Sequence, residues 1–161
     1  MGIHNLLLIF SVPATAGRER LVSLLEKSKI QLEFQNFSGL YKRFSNSRRE
    51  DLNAELLMGA HAVSTLHAAE IQELIKKAAS EIEGSEILLL AWDEHISLLP
   101  QLTIPHPSLI QDQLVLLCAA EACGEFVHPI LGKNLKNLLQ GVSQSPLAEF
   151  VSQSHFLGWS A

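Results

Sequence analysis

The period of apolar and polar positions changes several times along the chain. Leu6-Leu7-Leu8-Ile9-Phe10 is a continuous apolar run closed by Pro13, which predicts a strand buried on both faces. Thr15 is the expected cap of a helix over residues 17–29, with Leu21, Leu24, Leu25 and Ser28 on one face. Ile30, Leu32, Phe34 and Asn36 then alternate with Gln31, Glu33 and Gln35, the pattern of a half-buried strand. A polar loop over 42–49 follows Tyr41, and residues 52–61 predict the strand that pairs back across it. Ser64 or Thr65 is the expected cap of a second helix ending near Ser80, carried by Ile71, Leu74, Ile75 and Ala78. Residues 86–92 read as another buried strand.

The resulting order is strand, helix, strand, strand, helix, strand. That is an α+β, ferredoxin-like βαββαβ sandwich, the split βαβ plan. Additional C-terminal elements follow. They are a hairpin-like stretch over 93–102, a corner at Ile104-Pro105-His106-Pro107, and helical segments over 112–123 and 135–139. The last dozen residues are expected to pack as a terminal helix. No repeat, low-complexity tract or charged linker divides the chain, so one domain over 1–161 is expected.

Composition narrows the classes of function. The chain has 161 residues and a net charge of −5, with a pI near 5.8. Sequence-independent nucleic-acid binding needs a basic surface, so no nucleic-acid partner is expected. The longest apolar runs reach only five, six and seven residues, whereas a membrane span needs about 18. Ala14-Thr15-Ala16 imitates a signal-peptidase site, but no Lys or Arg precedes the short apolar stretch before it. Position 6 is Leu, where a myristoylation signal after Met1-Gly2 needs Ser or Thr. A cytoplasmic protein with no membrane partner is the expectation.

Cys118, Cys123 and His128 are spaced C-x4-C-x4-H, which matches no standard zinc template. Cys118 lies within an apolar run and reads as a small buried residue. No serine, cysteine or histidine nucleophile constellation stands out.

The stretch after residue 100 is more specific. Leu102-Thr103-Ile104-Pro105-His106-Pro107 is followed by Leu114-Val115-Leu116-Leu117, Ala120-Glu121 and His128-Pro129-Ile130-Leu131-Gly132. In order and spacing this resembles the C-terminal half of the 6-hydroxymethyl-7,8-dihydropterin pyrophosphokinases of folate biosynthesis. Their L-T-I-P-H-P element precedes a helix and an H-P-x-L-G turn. Weaker likenesses extend back: Asp51-Leu52-Asn53-Ala54 resembles their Y-L-N-A, Glu86-Ile87-Leu88-Leu89-Leu90 their D-L-D-I-L, and Ser11 their G-S-N. The resemblance implies a ferredoxin-like fold and transfer of pyrophosphate from ATP to a pterin hydroxymethyl group, with Mg²⁺ as cofactor. It also implies roles for individual residues: Glu86 toward metal, His106 toward nucleotide and Asn53 toward pterin. Lys42, Arg43, Arg48 and Arg49 lie in the loop that covers the family's site and can meet phosphate.

Several positions depart from that pattern. Phosphoryl transfer depends on neutralising phosphate charge, and the family's two aspartates share one strand face through the two-residue period. Here they become Glu86 and Leu88, and Leu offers no oxygen to a metal. The arginine-rich loop before that strand becomes Glu81-Ile82-Glu83-Gly84-Ser85, and the arginine after P-H-P aligns with Asp112. Glu86 also reads as an ordinary acidic residue entering a buried strand, and His106 as a rigid corner between two prolines.

Three readings follow. The first is a member of the family that kept its scaffold, lost most catalytic groups and acts by binding a nucleotide, a pterin-like molecule or a protein. The second is a divergent, active pyrophosphokinase using Glu86, His106 and the 42–49 loop. The third is a structural interaction partner, or a homodimer, using exposed apolar surface; mean hydropathy of +0.18 gives it weight.

Overall fold

The apolar run at 6–10 lies inside β1 (His4–Pro13), the second strand from one edge of a six-stranded antiparallel sheet. This computed structural model describes residues 2–45, 53–142 and 147–157. β1 is flanked by β4 (Glu55–Ser64) and by β5 (Glu86–Trp92), which forms one edge. On the far side of β4, β2 (Glu33–Phe37) and β3 (Leu40–Arg43) pair with it in succession, and β8 (Ala148–Ser152) adds to β3. Helices α1 (Arg18–Ser28) and α2 (Ala68–Ser80) supply the two crossovers, which completes the ferredoxin-like βαββαβ plan.

β1 is apolar at successive positions because both faces of the sheet are covered. Leu6, Leu8, Phe10 and Val12 pack with Leu21, Leu24, Leu25, Ile71 and Ile75 of α1 and α2. Leu7 and Ile9 face the opposite way, onto α3 (Ser108–Gln111), α4 (Gln113–Cys123) and α5 (Leu135–Gln140). A two-stranded hairpin, β6 (Ser97–Leu99) and β7 (Leu102–Ile104), lies beside β5. Among the described residues no helix is long and apolar enough to cross a membrane.

Some local expectations need correction. Thr15 does not cap α1: residues 14–16 form a short 3-10 turn, and Gly17 at φ +80° leads into the helix. The buried face of α1 is nonetheless Leu21, Leu24, Leu25 and Ser28. The Ser28 hydroxyl donates to the Leu24 carbonyl (3.0 Å), which satisfies it in the core. Neither Ser64 nor Thr65 caps α2; His67 does, in a box with Glu70. Ser64 is engaged elsewhere, donating to Gln31 O (3.0 Å) and accepting from the Leu66 amide (3.1 Å). The alternation at 30–36 is only partly strand. Ile30 is 83% exposed, β2 starts at Glu33, and an irregularity between Phe34 and Asn36 turns Asn36 toward α4. The strand expected at 52–61 spans 55–64. Of the last dozen residues, expected as a terminal helix, the first join β8 because the exposed edge of β3 offers backbone partners, Ser154–Leu157 form a short 3-10 helix, and 158–161 lie outside the described residues.

α4 sits close to the sheet because Gly59 lacks a side chain. A Cβ there would lie 2.8 Å from the Cys118 carbonyl oxygen and 2.9 Å from its carbon. Ser38, at the break between β2 and β3, accepts the Gly59 amide (2.8 Å) and returns its own amide to the Gly59 carbonyl (2.9 Å). Burial pushes the Cys118 thiol up to about 12, so it remains a neutral packing group.

His128 is buried, and its Nδ1 accepts from the amides of Ile130 and Leu131, both at 3.2 Å. Burial lowers the pKa values of His128 and of half-buried His61.

Three outcomes are expected. Gly59→Ala must push helix backbone aside and is expected to cost about 1–3 kcal/mol of stability by urea denaturation. Depressed histidine values mean that the unfolded chain binds more protons than the folded one just below the ordinary value of 6.5. Stability is therefore expected to be full above that pH and to fall as the pH drops through it. His128→Leu is expected to flatten that slope while costing about 1–3 kcal/mol, since two amides lose their acceptor.

Candidate functional site

Strand register assembles one end of the α4-facing side of the sheet. Ser11 of β1 is paired with Glu86 of β5, Pro13 with Glu55 of β4, and Arg43 of β3 with the same Glu55. Glu86 and Ser11 therefore share a row with Leu57 and Tyr41, and Glu55 and Arg43 lie on the same face in the next row, opposite Pro13. The two-residue period puts Glu86 and Leu88 on the same face. Glu86 is exposed at the strand entrance. Leu88 packs against the apolar cluster beneath α4.

Asp112 arrives over the Arg43–Glu55 pair from the chain that follows the Pro-rich corner. It is the N-cap of α4, and its Oδ1 accepts from the amides of Leu114 (3.0 Å) and Val115 (3.2 Å). Its Oδ2 takes the Arg43 Nη1 at 2.5 Å. Arg43 Nε (2.8 Å) and Nη2 (2.5 Å) both donate to Glu55 Oε1. One guanidinium thus bridges β3, β4 and the start of α4. Burial alone would lower the Arg43 pKa, but the hydrogen bonds to Glu55 and Asp112 outweigh it and hold the pKa above its ordinary value. All three side chains keep about a third of their surface, at 30%, 35% and 30% exposed for Arg43, Glu55 and Asp112. The bridge is therefore screened by solvent and is a weak contributor to stability.

α4 is tied down again at its far end. The Tyr41 hydroxyl donates to Glu121 Oε2 (2.7 Å), Glu121 Oε1 accepts the Gly39 amide (3.0 Å), and the Asn36 amide donates to Ala122 O (3.1 Å). Burial first, then the bond to Glu121, raises the Tyr41 pKa, so the phenol stays protonated.

His106 stands between β7 and α3. Its amide donates to the Leu90 carbonyl (2.8 Å), fixing the corner against β5. Its Nδ1 accepts from the Ser108 amide (3.1 Å) and lies 2.8 Å from the Ser108 hydroxyl, which puts the neutral ring's proton on Nε2. Burial lowers its pKa, and the charge of Glu86 opposes that shift. Beside it is a cavity of about 130 Å³ at the outer edge of β5, lined by Ile87, Leu88, Thr103, Gln101 and Gln72. The Gln72 side-chain nitrogen reaches Gln101 O at 3.5 Å. Its oxygen is buried and accepts no hydrogen bond within the protein.

Of the residues predicted from sequence, Glu86, His106 and Arg43 come to this end of the fold. Asn53 is exposed just ahead of β4. Lys42, the neighbour of Arg43 on β3, lies 5.4 Å from the Phe44 ring centroid. Arg48 and Arg49 fall outside the described residues. Sequence reading missed Glu55, which looks like any polar position in a strand, and Gln72, which looks like a solvated helix residue. A larger cleft of about 540 Å³, bordered by Asn5, His61, Asp93 and Phe126, holds none of the predicted residues.

The donor set does not fit two magnesium ions. Glu86 offers one carboxylate, Leu88 none, and among the described residues no group of three or more His, Cys, Asp or Glu can hold a metal ion. Arg43 has its guanidinium engaged by the carboxylates of Glu55 and Asp112.

No family model and no curated protein matches this sequence. Solved structures do match in fold. Wild-type Plasmodium falciparum HPPK-DHPS with pteroate has a TM-score of 0.68 at 12% identity, over 87% of this chain and 42% of that one. The same wild-type enzyme with pterin and p-hydroxybenzoate has a TM-score of 0.64 at 11% identity, over 88% and 42%. An HPPK-DHPS in complex with substrates has a TM-score of 0.69 at 10% identity, over 87% and 43%. This chain thus spans less than half the length of those bifunctional proteins. Its fold is like that of their pyrophosphokinase part, the HPPK-like variety of the ferredoxin-like sandwich.

Proposed function

We propose that this chain is a binding protein built on the scaffold of the folate-pathway pterin pyrophosphokinases, and that it does not transfer pyrophosphate. Its ligand is an amine-bearing heterocyclic base of the purine kind, taken up beside His106. The observation that carries this reading is the contrast along β5. At the outer edge of the strand lies a polar, base-sized cavity lined in part by Gln72, whose Oε1 is buried and unpartnered. On its α4-facing side, Leu88 stands where the second metal-holding carboxylate would be required. A buried acceptor without a partner is costly, so a ligand N–H placed against it gains more than one offered to water. Among the described residues, Arg43 on the α4-facing side is already engaged by Glu55 and Asp112, an arrangement that does not favour a polyanion.

A second reading has its own support. Ile96, Leu98 and Leu99 expose large apolar side chains on and beside β6, with Leu98 at 80%, the kind of surface that a protein partner or a second copy covers.

Calorimetric titration separates these readings from an active pyrophosphokinase. Adenosine is expected to bind with or without Mg²⁺, and Gln72→Met to weaken it about tenfold, the effect of one lost hydrogen bond. No AMP is expected from ATP plus hydroxymethyldihydropterin. Magnesium-dependent ATP binding that the pterin strengthens, with AMP release abolished by Glu86→Ala, would restore the enzyme. Absence of any nucleoside binding by the folded protein would leave the partner reading, which sedimentation of the wild type and of Leu98→Ser then tests.

A further inference from the structure

Glu55 and Arg43 are paired across β4 and β3, one row beyond the Glu86–Ser11 pair of β5 and β1, and Asp112 closes over Arg43. A ligand seated beside His106 has Glu86 as its charged neighbour, and a phosphate chain extending from it across the α4-facing side toward β3 meets Glu55, Asp112 and Arg43. Three nitrogens of Arg43 already donate to Glu55 and Asp112. Phosphate can reach this guanidinium only by displacing a carboxylate. It must also accept the displaced group as a like charge.

We propose that Asp112 and Glu55 are specificity determinants: by occupying Arg43 they exclude phosphorylated ligands and leave the site to the unphosphorylated nucleoside or base. This rests on the base-binding reading above and names the selectivity of the same site. Asp112 is suited to the role because its two oxygens are used separately. Oδ1 caps α4, while Oδ2 holds Arg43. Asp112→Asn keeps a side-chain oxygen for the cap, since asparagine is as good an N-cap as aspartate, and removes the charge that holds the guanidinium. Glu55→Gln does the same from β4.

Inorganic tripolyphosphate is the direct probe, because it needs no base pocket. Calorimetry at low salt is expected to show no binding to the wild type. Asp112→Asn is expected to bind it, and Asp112→Asn with Glu55→Gln about tenfold more tightly than the single variant, in proportion to the repulsion removed. Added salt is expected to weaken both, and Arg43→Met in either background to abolish binding. The ratio of ATP to adenosine affinity is expected to rise in the same order. Thermal melting checks that each variant is folded, and the single Asp112→Asn suffices if the double variant is not. Tripolyphosphate binding to the wild type as tightly as to the variants would overturn the proposal. So would binding that survives Arg43→Met, or a folded Asp112→Asn that fails to bind. Gain of tripolyphosphate binding in a protein that ignores adenosine would sink the base-binding reading and leave the exclusion of phosphate standing.

Discussion

The constraint on which the site depends is the distance between α4 and the sheet. Gly59 allows helix backbone to lie where a Cβ would otherwise be, at 2.8 Å from the Cys118 carbonyl. Three further ties set the helix along the sheet: Asp112 to Arg43 at its start, and Glu121 to Tyr41 and Asn36 to Ala122 at its end. With its middle fixed by contact and its ends by hydrogen bonds, α4 has little freedom to tilt. Its N-cap is consequently delivered to the end of the face where β1, β3, β4 and β5 present Ser11, Arg43, Glu55 and Glu86.

The same packing divides the face into an apolar middle and a charged end. Leu7, Ile9, Leu57, Leu88 and Leu90 form the floor under α4, and Leu88 belongs to that floor. A carboxylate at position 88 would be oriented toward the same apolar cluster and would need a cation to offset its desolvation. Leucine at 88 therefore favours close packing of the helix, and with it the approach of Asp112 to Arg43.

Much of the fold was legible in the sequence because most elements announce themselves by period. The run at 6–10 and the strand at 86–92 are apolar without alternation because both faces are covered, and α1 displays the predicted stripe. What was not legible depends on nonlocal partners. His67 rather than Ser64 caps α2 because Gln31, far back in the chain, accepts the Ser64 hydroxyl. Asn36 breaks the alternation of β2 because carbonyls of α4 lie within reach. β8 forms because β3 has an open edge, which no local pattern around 148–152 declares. The site shows the same division. An acid at 112 and an apolar residue at 88 can be read from sequence. That Arg43 spans Glu55 and Asp112 can be read only from strand register.

These departures form one consistent set. A site that gathers metal ions and arginines is balanced only when a polyphosphate is present. Here the balance is internal: Leu88 offers no oxygen to a cation, and Glu55 with Asp112 engages the Arg43 guanidinium. Changing either half alone would leave an uncompensated group. Arg43 without its carboxylates would be a half-buried cation beside an apolar floor, and an aspartate at 88 would be an anion in that floor. Leu88 and the Arg43 bridge are thus coupled through charge compensation and through the position of α4. The His106 corner is held separately, by the Leu90 carbonyl and by Ser108.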